Sequence, residues 1–184
     1  MARSSLQAAD WARVALVAIG EGGLGAVRVE ALAPRLGASK GSFYWHFADR
    51  AALVDAALAL WEREGTEAVI AGLEGVEDPR ARLRELFETA FGHPESGRVD
   101  AALAAHADDP VVAPVLRRVT ERRLGFMEAA YRELGFTQAK ARHRALAAYT
   151  SYLGLFAVRR AAPDAVPRRL RPYLDDLLGL LDGP

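Results

Sequence analysis

Apolar residues recur along this chain at spacings of three and four almost without a break, and no stretch alternates strictly, so the pattern predicts helices throughout and no strand. Trp11, Val14, Ala15, Ala18 and Ile19 form a first stripe, stopped by the glycine-rich GEGGLG, Gly20 to Gly25. A short helix follows over 29–36 and closes at Gly37, where glycine can adopt the left-handed conformation that ends a helix. Ser39 caps the next helix, which runs to about Phe47. Asp49 starts a longer one, with Leu53, Ala57, Leu60 and Trp61 on one face, that reaches Leu73. Beyond EGVEDP, Leu83, Leu86, Phe87, Ala90 and Phe91 line a helix closed by GHPESG, and a short helix is expected over 98–107. Asp108 and Pro110 open a long helix to about Leu134, with Pro114 as a candidate bend and Gly135 as its end. Thr137 caps the next helix, and Leu170, Tyr173, Leu174, Leu177, Leu178 and Leu181 make a last stripe with Pro172 near its start.

Two segments depart from an ordinary amphipathic helix. In SKGSFYWHF, Ser39 to Phe47, four aromatics crowd around His46, and neighbouring side chains on a helix point in different directions. Phe43 and Phe47, four apart, can share the core side, which leaves Lys40, Gly41, Tyr44, Trp45 and His46 facing outward. The run ALAAYTSYLGLFAV, 145–158, has no charge; at fourteen residues it is too short to span a bilayer and predicts a helix buried on all sides.

Composition narrows the classes. With 184 residues, half of them apolar, the chain can bury a full core as one domain or as a small module fused to a larger one. Having no cysteine, it has no disulfide framework, thiolate metal site or cysteine nucleophile. Asp10 and a helical period distinguish the N-terminal segment from a secretory signal, so a cytoplasmic location is expected. The 22 arginines against two lysines are read as a genomic bias. Net charge is zero, but residues 1–50, with Arg3, Arg13, Arg28, Arg35, Lys40 and Arg50, carry +2 and the remainder −2, which favours an N-terminal face for anions.

The short helices on either side of Gly37 have the layout of a helix-turn-helix: small Ala33 lets two helices cross closely, Gly37 makes the turn and Phe43 buries the second helix. The N-terminus of that second helix offers free N–H groups, Gly41 permits close backbone approach and Lys40 adds a charge, which together suit phosphate. Tyr44 and His46 can donate to phosphate oxygens, while groups reaching the major-groove floor read bases.

On VEALAPRLGASKGSFYWHFADRAALVDAAL, Val29 to Leu58, and above all on GSFYWHF, the sequence resembles the TetR family of bacterial transcriptional regulators. The resemblance implies an all-α protein. Residues 1–48 would be a three-helix helix-turn-helix DNA-binding unit, and residues 49–184 a helical ligand-binding and dimerisation bundle. It makes Ser39 to His46 the recognition helix, with Ser39, Lys40, Gly41, Ser42, Tyr44, Trp45 and His46 at DNA and Arg50 on its backbone. Where the family often has a capping threonine before the second helix, this chain has Arg28, which can meet phosphate but cannot cap. The last two helices would pair across a two-fold axis through Leu146, Leu153, Leu174, Leu177, Leu178 and Leu181. Trp61, Phe87, Phe91, His106, Phe126, Tyr149, Tyr152 and Phe156 are candidate pocket residues, suited to a small apolar or aromatic effector with one or two polar anchors. The expected partners are a double-stranded DNA operator, a small-molecule effector and a second copy of the chain, without cofactor, metal or membrane.

Two other classes compete. An enzyme finds little support, since His46, His93, His106 and His143 show no metal spacing and no phosphate loop or nucleophile elbow follows a strand. A helical adaptor without DNA binding needs only the C-terminal stripes, and salt-dependent DNA binding separates it from a regulator.

Overall fold

The computed structural model describes residues 6–182, so Arg3 of the N-terminal basic excess lies outside the described residues. These form ten α-helices and no strand: α1 Ala8–Gly22, α2 Val29–Arg35, α3 Lys40–Tyr44, α4 Arg50–Glu62, α5 Ala68–Leu73, α6 Pro79–Gly92, α7 Pro94–Ala104, α8 Val112–Glu133, α9 Gln138–Ala161 and α10 Leu170–Asp182. None is long and apolar enough to cross a membrane.

Local chemistry sets the ends. Ser39, Asp49 and Thr137 each accept a backbone N–H at the start of α3, α4 and α9. At Gly37, φ is +61°; Ala38 N–H donates to Ala33 C=O at 2.9 Å and Gly37 N–H to Pro34 C=O at 3.1 Å, so the last carbonyls of α2 are satisfied across a left-handed residue. Gly135 closes α8 by the same pair of bonds, from Phe136 N–H to Tyr131 C=O and from Gly135 N–H to Arg132 C=O.

Two apolar clusters hold the chain together. The first joins Trp11, Ala15 and Ile19 of α1 to Leu32, Phe43, Leu53 and Leu58, and also takes in Val99 and Leu103 of α7 and Val112 and Leu116 of α8. The second joins α6, α8, α9 and α10 through Leu83, Phe87, Phe91, Tyr131, Tyr152, Phe156, Leu174 and Leu178. Helix α8 runs through both, and Ala101 of α7 packs against the second.

The structure corrects several expectations. The helix expected to run from Ser39 to Phe47, α3, ends at Tyr44, with one further turn closed by bonds from His46 and Phe47 N–H to Phe43 C=O. The helix expected from Asp49 to Leu73 is interrupted by a π-helical turn, Arg63–Glu67, between α4 and α5. GHPESG is not a loop: α6 ends at Gly92 and Pro94 opens α7, because proline fits a first turn where its missing N–H is not needed. Pro114 likewise stands in the first turn of α8, where a missing N–H is tolerated, and not in its middle. The uncharged 145–158 run is not buried on all sides in the single chain, since Leu146 is 50% and Val158 46% exposed.

Candidate nucleic-acid interface and internal cavity

Helix α3 is anchored by aromatic packing. Phe43 is fully buried, edge-on to Trp11 at 5.4 Å and stacked on Phe47 at 5.6 Å. With that side committed to the core, Tyr44 is 64% and Trp45 87% exposed, while His46 is half-buried beside Phe47. Lys40 reaches Glu30 of α2 at 2.9 Å in an exposed pair, so an incoming phosphate competes with a carboxylate for it. Ser39 spends its oxygen on Ser42 N–H at 3.2 Å, and Gly41 is exposed. Arg28 is exposed and, as N-cap of α2, makes no side-chain cap bond. Arg50 looks inward: its Nε donates to Val27 C=O at 2.7 Å and its Nη2 to Leu24 C=O. It thereby ties the start of α4 to the loop that leads into α2.

Behind this unit lies a cavity of about 630 Å³, walled by α1 (Leu16, Val17, Gly20), the end of α4, the π-helical turn, and helices α5 to α9. Its apolar wall includes Leu60, Ile70, Phe87, Phe91, Phe126 and Met127. At one side sits a buried polar cluster. Asp100 of α7, 3% exposed, accepts from Trp61 Nε1 at 2.6 Å and from the Tyr152 hydroxyl, and pairs with Arg123 Nη1 at 3.1 Å. Arg123 also donates from Nε to Thr66 Oγ1 at 2.9 Å and from Nη2 to Gly65 C=O at 3.0 Å, and lies over the Trp61 ring. Burial pulls the Arg123 guanidinium down, but the charge of Asp100, the neighbouring Tyr149 and Tyr152 and the hydrogen bond to Asp100 together outweigh it and hold it above its usual value. Burial first, then the charge of Asp100, pushes the Tyr152 hydroxyl far up, so it remains a neutral donor. Removing either ion of such a buried pair strands the other at a cost of about 3–5 kcal/mol.

Residues 13–57, which hold the helix-turn-helix and the start of α4, match the family described as bacterial regulatory proteins, tetR family. The helix-turn-helix segment is thus of the TetR-family type. Solved structures agree along almost the whole length. A transcriptional regulator from a Rhodococcus species superposes with a TM-score of 0.78 at 22% identity, over 97% of this chain and 95% of the other. A TetR transcriptional regulator from Legionella pneumophila gives 0.80 at 14% identity over 98% of both chains. A TetR-family regulator from Agrobacterium tumefaciens gives 0.74 at 25% identity, over 92% of this chain and 96% of the other. No curated protein matches the sequence.

Within this TetR-like fold, Trp61, Phe87, Phe91, Phe126, Tyr149 and Tyr152, among the candidate pocket residues, line the cavity. Two expected residues do not. His106 packs under Gly23, where a Cβ would come within 2.8 Å of its ring, and its Nδ1 bonds Ala102 C=O. Phe156 lies behind the wall, against Gly97, Phe91 and Tyr152. The set placed at a two-fold interface also divides: Leu174, Leu178 and Leu181 are buried in their own chain, because α10 folds onto α6 and α9. Leu146 faces out, Leu153 and Leu177 are half-buried, and the most exposed apolar residue of α10 is Leu180. Sequence reasoning missed Asp100 and Arg123; the one signal was an acid amid the apolar VDAALA.

Proposed function

We propose that this protein is a DNA-binding transcriptional regulator, a repressor that binds a palindromic operator as a homodimer and is released by a small apolar or aromatic molecule. The observation that carries the reading is α3, whose core side is spent on Phe43 and Phe47 while Tyr44 and Trp45 project into solvent beside Lys40 and Gly41. Residues 1–48 act as the DNA-binding unit and 49–184 as the effector and dimer unit, in the cytoplasm and without catalysis of their own. Two copies of α3 enter successive major grooves about 34–36 Å apart. Contacts from Ser39, Lys40, Ser42, Tyr44, His46 and Arg28 to phosphates and bases fix the register. Arg50 acts chiefly by holding the loop before α2 in place.

The cavity supports the switch. Trp61 stands in its wall on the same helix that begins at Arg50, and Leu16 and Val17 of its wall share α1 with Trp11, which carries Phe43. An effector that prefers one setting of α1 and α4 changes the separation of the two recognition helices. A coupling of about 1–3 kcal/mol is enough for roughly 5- to 150-fold in operator affinity. The test is binding to duplexes from the gene's flanking DNA, read at several salt concentrations. Lys40→Ala should weaken binding and flatten the salt slope by about one unit, and Tyr44→Phe should weaken it as well. If neither changes affinity at any salt, α3 does not read DNA. No binding to any duplex would favour an adaptor.

A further inference from the structure

We propose that the cavity takes an uncharged molecule, apolar over most of its surface and carrying one hydrogen-bond acceptor that meets Arg123, and that it refuses carboxylates and ammonium ions of the same size. The proposal rests on the reading of this cavity as the effector site. It follows from how the charges in the wall are spent. Arg13 forks onto Glu64 at 2.8 and 3.0 Å, Arg98 faces Glu95 at 4.0 Å, and Arg123 pairs with Asp100 at 3.1 Å, so every arginine in the lining has its own carboxylate. The first two pairs are exposed at the rim and water screens them; the third is buried.

An anionic ligand would add a second desolvated negative charge beside Asp100, with the single guanidinium of Arg123 to balance both. A cationic ligand would need Asp100, whose two oxygens are already taken by Trp61, Tyr152 and Arg123. Within this pair, spare capacity lies on the donor side. A guanidinium has five N–H groups, and those of Arg123 directed at Thr66, Gly65 and Asp100 account for three. The remaining two suit a neutral oxygen, as in a ketone, ester, ether or alcohol. Phe87, Phe91, Phe126, Met127 and Ile70 then take the apolar body.

Calorimetric titration of the full-length protein at neutral pH tests this with matched probes: naphthylmethanol, naphthoate and naphthylmethylammonium, and the octyl alcohol, carboxylate and ammonium. On each framework the neutral member should bind, and the charged members should bind about tenfold more weakly at least. In Asp100→Asn the pair is unbalanced toward Arg123, and the ranking should reverse in favour of the carboxylate. Should that variant not fold, the order in the unaltered protein decides alone. A carboxylate or ammonium that binds the unaltered protein within about tenfold of its neutral counterpart overturns the ligand class and leaves the DNA-binding regulator standing. An Asp100→Asn variant that folds and keeps the neutral preference also overturns it. No binding by any probe overturns both the ligand class and the reading of the cavity.

Discussion

Adding one methyl group at Gly97 tests how tightly α7 and α9 close beside the cavity. A Cβ there would stand 2.2 Å from Cε2 and Cζ of Phe156, against the 3.4 Å at which ordinary contact begins. The ring would have to withdraw by over an ångström. It is 2% exposed, with Phe91 at 6.4 Å and Tyr152 at 5.2 Å between ring centres, so it has little room to do so. Overpacking of this kind costs about 1–3 kcal/mol, and a rigid buried ring belongs at the upper end. Alanine returns at most about 1 kcal/mol through helix propensity. Gly97→Ala should therefore lose about 1–2 kcal/mol net, seen in urea unfolding at fixed protein concentration and as a Tm drop of about 2–4 °C for each kcal/mol. In a double-mutant cycle with Phe156→Leu the two losses should fall short of additivity by about 1 kcal/mol, because the smaller side chain makes room for the methyl. A Gly97→Ala protein as stable as its parent, or a cycle that is strictly additive, would refute the close crossing.

Leu146→Glu or Leu180→Glu, at 50% and 81% exposed positions, should leave the chain folded and dissociate the proposed homodimer, whereas Leu178→Ala, at a 4% exposed one, should cost about 2–5 kcal/mol of stability. Sedimentation velocity together with circular dichroism separates the two effects, and an unchanged dimer mass in both glutamate variants counts against this face. The Arg13–Glu64 pair is exposed, so Arg13→Ala should cost less than about 1 kcal/mol. The hydrogen bond from Arg13 is the first cause of a lowered Glu64 carboxyl. The contribution is therefore complete above the usual carboxylate value of 4.5 and fades as pH falls through the lowered one. Urea midpoints of parent and variant should differ at neutral pH and converge in acid; a gap that persists in acid contradicts this linkage.

The helix-turn-helix was legible in the sequence because each of its decisions is local. Ser39 caps because its oxygen lies within reach of Ser42 N–H, Gly37 turns because a positive φ suits glycine, and the four-residue spacing of Phe43 and Phe47 puts both on one side of a helix. The misread GHPESG shows the limit of local signals. Its proline and glycine have the composition of a loop, yet Pro94 opens a helix, and Gly97 is there because Phe156, far along the chain, needs the space.

Leucine spacing in α10 told which residues share a face, but periodicity says only that a face is buried, not against what. Leu174, Leu178 and Leu181 turned out to cover their own chain, and Leu180 was left outside. The polar heart of the cavity was hidden more completely. Asp100, Arg123, Tyr152, Trp61 and Thr66 come from α7, α8, α9, α4 and the π-helical turn, and nothing in their separate surroundings marks them as partners. Helix propensity, capping and spacing act over a few residues, so the chain order alone specifies the helices and the outward face of α3. Charge pairing and cavity shape depend on distances between helices, and those exist only once the helices have packed.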